Sequence, residues 1–495
     1  MNFDVNLISK WLTYNPSGPM IFQSIEFFIL FTFFYLLYSI FYKSLQLRNT
    51  LLLLFCLFFY YKISGYFVFI LIGMAFLDFI IAKSIHRTKN NFNKKIFLLS
   101  SFLINVGALI YFKYTYFFIN LINDVSHKNI SLAFKIVQPI GISYFVFKSL
   151  SYVIDVSREV IEEPEKKFKN YLTYVSFFPN ILAGPITKAR DLIPQLNSIK
   201  LITSKEINFA IYLISLGLIK KIMVADFIAA NFSDRVFESP QFFSSFDLFM
   251  SSYAGLLHLY FDFSGYTDIV VGLSLMLGFE ISGNFNQPFK AKNISDFWKR
   301  WHISLYLWLS DYVYQPIAFA LRKYKKTGAI LAIFITFFIS GLWHGANLTF
   351  IIWGILHGTA IVIEILTQKS RDNARKKFNS FYNFISVLLT FNFIAFSSIL
   401  INSPNISFAF DYYYKMFFYL DFSLFPKWLS IYSTPFTIML IALILQYLPL
   451  SWYSFLYKYY NKLPLIIVSI LFVILLVILF QIASEDSLPF TYIEF

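Results

Sequence analysis

Four of the chain's six histidines, His258, His302, His344 and His357, fall within residues 253–358. His258 precedes Asp262 by one helical turn, so on a helix the two share a face. A carboxylate there orients the imidazole or joins it in holding a metal; the plainer alternative is a buried polar pair that pins helices together. Tyr266 and Asp268 follow, with Gly265 marking a break or a close approach of backbones. A second stretch reads Asn284-Phe285-Asn286-Gln287-Pro288-Phe289 and then runs from Ile294 to His302. Asn293 or Ser295 can cap a helix starting near Asp296. Trp298 and Trp301 beside Lys299 and Arg300 have the make-up of an interfacial helix, which alone would be only an aromatic belt. In the third stretch, Ser340 to Asn347, two glycines bracket Trp343-His344, and small residues admit a neighbouring backbone or a ligand. A neutral imidazole out of bulk water is a competent general base, suited to deprotonating a hydroxyl for attack on an acyl donor. The alternative is a histidine satisfied by a nearby carbonyl. His357 reads as packing.

What must position these groups follows from composition. Of 495 residues, 58% are hydrophobic, 21% aromatic and only 14% charged, against about 25% charged in a soluble protein. Sixty-four phenylalanines do not fit in soluble cores of this size. Disorder needs low hydrophobicity. Gly 17, Pro 16 and a single cysteine, Cys56, exclude collagen and disulfide scaffolds. The expectation is an all-α, polytopic membrane protein. Apolar runs at 22–42, 50–61 with 64–82, 97–122, 131–154, 207–231, 244–276, 328–345, 347–367, 380–402, 433–449 and 464–482, with shorter pieces at 171–183 and 303–320, predict about eleven to thirteen membrane elements, some re-entrant or in-plane. They lack the alternation of a membrane barrel.

The net charge of +14 sits in short clusters between these runs. That pattern points to cytoplasmic loops facing anionic lipid rather than to nucleic acid. Three clusters, Lys83 to Lys95, Arg322 to Lys326 and Lys369 to Lys377, are placed in the cytoplasm. The last two flank a helical hairpin whose turn, 341–347, then lies deep in the membrane or near its far side, with His344 at membrane depth. Residues 1–19 carry no cleavable signal and read as an interfacial extension; 20–495 read as one membrane domain with its polar core at 253–358. The segment 158–170 is a solvated charged loop, and no internal repeat is visible.

The chemistry on offer is narrow. There is no Gly-Lys-Ser/Thr phosphate loop, no cysteine pair and no Gly-x-Ser-x-Gly elbow. Two other classes are weighed. A glycan or lipid transporter would show repeats with broken helices in matching halves. A metal site on His258, Asp262 and His302 lacks specific ligand spacing.

At these motifs the chain resembles the membrane-bound O-acyltransferase family, and within it the branch of alginate O-acetyltransferase membrane subunits; the D-alanyl-transferring proteins of teichoic acid synthesis are close relations. The stretches that carry the resemblance are Met20 to Phe27, Pro139 to Tyr144, Ser151 to Val156, Phe178 to Ile186, Tyr260 to Asp268, Asn284 to His302 and Gly341 to Asn347. It runs over roughly residues 20–400. It implies a helical fold around a central chamber open to both sides, with His344 catalytic and His302 supporting it. It further implies a donor thioester, acetyl-CoA or an acyl carrier, arriving from the cytoplasm with no tightly bound cofactor or metal. The acyl group would leave on the outer side of a bacterial inner membrane, onto a polysaccharide or a periplasmic acetyltransferase partner. Lys290, Lys292, Lys299 and Arg300 would attract the anionic donor, and Trp343 or Asn347 would orient the acyl carbonyl. Asp262, Tyr266, Asn286, Gln287 and Trp298 complete the expected substrate-binding set. The chain departs from its relatives at Ser310, where they often have Arg, and at Ile317-Ala318-Phe319, where they often have Gly-Gly after the proline; both bear on donor contacts.

Overall fold

A computed structural model describes residues 12–16, 18 and 20–482. The expected extension, 1–19, lies largely outside them. The described residues are helical throughout their ordered elements, with no strand. Among the described residues, seven helices are long and apolar enough to cross a bilayer: Leu45–Arg87, Asn91–Ser126, Arg322–His344, Leu348–Leu366, Gln368–Leu400, Phe422–Tyr447 and Leu465–Ile482. The protein is a multi-pass membrane protein. The first of these is two helices, α2 (Leu45–Ser64) and α3 (Val68–Arg87), parted by a short turn at Gly65. Of the other expected elements, some are short, like α1 (Ile25–Ile40), 207–231 is interrupted by π-helical turns, and 244–276 is one long helix that carries Asp262 and Asp268. The run 131–154 begins its helix only at Ile142, because Pro139 and the left-handed Gly141 (φ 77°) stop it earlier.

The chain forms two compact units, one of residues up to Ala210 with Ile269–Ser282, the other of Ile211–Asp268 with Gly283 onward. In the first, α3 packs against α4 (Asn91–Leu109) and α5 (Ile142–Ser157). Between α3 and α4, Asp78 accepts hydrogen bonds from Ser101 Oγ at 2.6 Å and Asn105 Nδ2 at 2.8 Å, which is how a carboxylate survives in a lipid-embedded bundle. Phe178 sits among Phe55, Phe59 and Phe34. The buried Arg48 guanidinium donates to the carbonyls of Leu196 and Ser198, satisfying a helix C-terminus.

The second unit carries the expected site. A helix with π-helical turns at Ile219–Asp226 and Ala229–Ser233 lies beside the first part of α6 (Ser245–Met276). A short α7 (Ile294–Trp298) and α8 (Ile303–Leu309) follow. Then comes the expected hairpin, α9 (Lys325–His344) and α10 (Leu348–Leu366), turning at Gly345-Ala346-Asn347. Its two helices approach closely at glycines. A Cβ on Gly341 would run into the Phe350 carbonyl, and one on Gly354 into the Phe337 carbonyl. Asn347 caps α10, its Oδ1 accepting from Thr349 N–H. The long α11 (Gln368–Ser397), with a break at Asn379, completes this side.

Candidate active site

The site is assembled from the bottom by Asn284. Its buried side-chain oxygen accepts from the Ser304 backbone N–H (3.0 Å), the Ser304 hydroxyl (2.9 Å) and His302 Nδ1 (3.3 Å). An amide oxygen only accepts, so the His302 proton sits on Nδ1 and Nε2 is the bare nitrogen. Backbone pairing reinforces this: Ile303 N–H donates to the Asn284 carbonyl and Asn286 N–H to the Arg300 carbonyl, both at 2.9 Å. Together these hold His302 at φ +46°, in the left-handed region that costs a non-glycine residue about 1–2 kcal/mol. Such strain persists only where the surroundings over-determine it.

His344 ends α9 and is buried, as is His302. Trp343 lies between them, its ring 6.1 Å from His302 and 5.0 Å from His344 by centroids. Trp353 closes the other side of His344 at 5.1 Å. The structure therefore brings His302, Trp343 and His344 into one aromatic pocket.

A cavity of about 300 Å³ reaches Ser340; Trp298, Lys299, Tyr306, Ser310 and Thr336 are among its other lining residues, and neither histidine is. Ser340 is one helical turn before His344 on the same face of α9. A polar vestibule of about 430 Å³ adjoins the cavity, sharing Ser295, Lys299 and Ile365 with it and adding Lys292, Arg371 and Arg375. Ser310 lies on the cavity wall.

Other expected residues have structural tasks. Asp262 is fully buried and pairs with Lys221 at 2.6 Å; Asp226 approaches the same ammonium at 2.8 Å. His258 stands 3.8 Å from Asp234, with the Asp262 carboxylate also acting on it, and no group of three metal ligands occurs among the described residues. Tyr266 is buried a turn beyond Asp262. Gly265 causes no break but a close approach: its Cβ would lie 2.7 Å from the Gly217 carbonyl. Gln287 donates to the Gln446 and Leu448 carbonyls at the end of a helix, and Asn347 Nδ2 donates to the Pro404 carbonyl. Arg300 pairs with Asp296 at 2.8 Å. Lys290 bonds Leu448 and Gln287, and partial burial, with Arg300 nearby, holds its ammonium below the usual lysine range. Lys292 and Lys299 alone of the expected basic residues line the vestibule. Sequence reasoning missed Asn284's role, Lys221, Ser340 and Trp353. A motif residue such as Asn284 was open to suspicion, but Lys221 finds its partner 41 residues away with no local signal.

This helical membrane scaffold, with two buried histidines that both neighbour Trp343, defines a class. Residues 165–403 match the membrane-bound O-acyltransferase family. The chain is 32% identical to a peptidoglycan O-acetyltransferase of Helicobacter pylori, over 72% of this chain and 71% of that protein. It is 34% identical to a probable alginate O-acetylase of Pseudomonas syringae, over 82% and 76% respectively. It is 29% identical to a teichoic acid D-alanyltransferase of Bacillus subtilis, over 53% and 68%. The chain belongs to the membrane-bound O-acyltransferase family and is an O-acyltransferase.

Proposed function

We propose that this O-acyltransferase moves an acetyl group from a cytoplasmic thioester, acetyl-CoA or an acyl carrier, toward hydroxyls of an extracytoplasmic polysaccharide. The observation that carries the reading is the cavity that opens beside a basic vestibule and reaches Ser340, one turn from His344. Lys292, Lys299, Arg371 and Arg375 favour an anionic donor at its mouth, and the mostly apolar wall beyond suits a thioester arm. The basic clusters at both ends of the hairpin support a cytoplasmic side for this mouth by the positive-inside rule. Acetylation is preferred to D-alanylation because the acetylating relatives are more alike and match over more of the chain.

In the reaction, His344 takes the proton of the attacking hydroxyl as its oxygen adds to the thioester carbonyl. The tetrahedral adduct collapses with cleavage of the C–S bond, and the imidazolium returns the proton to the departing sulfur. Ester and free thiol result, with no net proton change. His302, with its bare Nε2 fixed by Asn284, positions the hydroxyl. The hydroxyl belongs either to the glycan or to a periplasmic partner that completes transfer. The test is His344→Ala in an expressing strain, assayed for ester-linked acetate on envelope and secreted glycans. Loss of that acetate at normal protein level is expected; unchanged acetylation overturns the reading.

A further inference from the structure

Trp298 forms part of the cavity wall, yet its indole N–H points away from the cavity, to His357 Nδ1 at 3.3 Å. An indole N–H only donates, so Nδ1 carries no proton. The ring proton is then on Nε2, which donates to Ser397 Oγ at 3.1 Å. The Ser397 hydroxyl donates in turn to the Ile394 carbonyl at 3.0 Å. Every donor in this chain has one acceptor, and its direction is fixed from the indole inward. Protonation of His357 on Nδ1 would break it at the first link.

The packing around this chain is equally specific. His357 is 1% exposed and its ring lies against Trp298, Trp353 and Phe393. Trp353 touches both Trp298 and His344. At the other end of α7, Glu364 accepts from Ile294 N–H at 2.5 Å and from the Ser295 hydroxyl at 2.7 Å. Helix α10 thus holds the segment 294–298 at two points two turns apart, with the cavity on one side and His344 behind.

We propose that His357 is a positioning residue, which through the Trp298 indole sets the cavity wall against which the donor thioester is held. This rests on the donor path proposed above. His357 reads as simple packing from its sequence; the directed hydrogen-bond chain is what sets it apart. A packing residue would be replaceable by any side chain of like volume. A positioning residue requires an acceptor facing the indole.

The experiment measures binding of a thioether analogue of acetyl-CoA to the purified full-length protein in lipid nanodiscs, with the 15N indole resonance of Trp298 followed in parallel. His357→Leu removes the acceptor; the analogue should bind about tenfold more weakly, as expected for one buried hydrogen bond lost, and the indole resonance should shift. His357→Asn, which keeps an acceptor near the Nδ1 position, should restore most of both. Trp298→Phe should match His357→Leu in binding, and the double variant should be no worse than either. Thr336→Phe fills the cavity without touching His357 and tests the donor path itself. If Thr336→Phe leaves binding intact, the donor path falls. If Thr336→Phe abolishes binding but His357→Leu does not weaken it, or His357→Asn is no better than His357→Leu, the positioning role falls and the donor path stands. Should His357→Leu fail to fold, the comparison of His357→Asn with Trp298→Phe decides: wild-type-like binding by Trp298→Phe overturns the proposal.

Discussion

Lys221 shows what a single charge requires inside this scaffold. It is fully buried, and its ammonium lies between Asp262 and Asp226. A buried pair is weak support for stability in itself, but removing one partner strands the other. Lys221→Met leaves both carboxylates without their cation and should therefore destabilise the protein by about 3–5 kcal/mol, while Asp262→Leu leaves the ammonium its Asp226 partner and should cost less. Thermal unfolding in detergent checks this, and equal melting of the two variants would exclude the arrangement. Residue type alone marked only His344, a histidine between glycines in an apolar run, as unusual; its pairing with His302 entered through the family motifs. Asp262 and Gln287 were legible as unusual but not in their task, since a carboxylate beside a distant lysine, or an amide beside a distant helix end, leaves no mark in local sequence. His302's left-handed backbone was likewise invisible, because it is imposed by Asn284 and not by its own side chain.

At the scale of elements, the hairpin α9–α10 decides where His344 stands. Its helices meet through Gly341 and Gly354, with carbonyls of the facing helix where side chains would otherwise be. Membrane helices lack a hydrophobic drive to associate and depend on such close packing. Gly354→Val should force the helices apart, lower thermal stability by about 2 kcal/mol or more and reduce acyl transfer at least tenfold. Val362→Ala, a contraction elsewhere on the same helix, should cost less activity. Measured melting and initial rates separate the two. The hairpin was readable because both arms are apolar over a full span and basic residues flank them. The membrane elements at 207–231 and 244–276 were readable as helical but not in their detail. The π-helical turns belong to the first, and the Lys221–Asp262 and Lys220–Asp268 pairs join the two, which no window of one helix contains.

Over the whole molecule, the proposed direction of the reaction rests on where the basic residues and the histidines lie. Lys292, Lys299, Arg371 and Arg375 gather at one mouth, while the hairpin turn lies at the other end of α9 beside Pro404. The class of protein was legible from composition alone, since so apolar and aromatic a chain has only the bilayer as solvent. The cavity was not, because its wall draws Trp298 and Ser310 from one stretch and Thr336 and Ser340 from another. Its position gives the account a sidedness that can be measured. The protein is reconstituted in vesicles, with a radiolabelled acetyl thioester on one side and a soluble glycan acceptor, supplied with any secreted acetyltransferase from the same cells, on the other. Labelled ester is expected only when the thioester is on the side of the basic clusters and only with His344 intact. Equal labelling from either side, or undiminished labelling by His344→Ala, would contradict this.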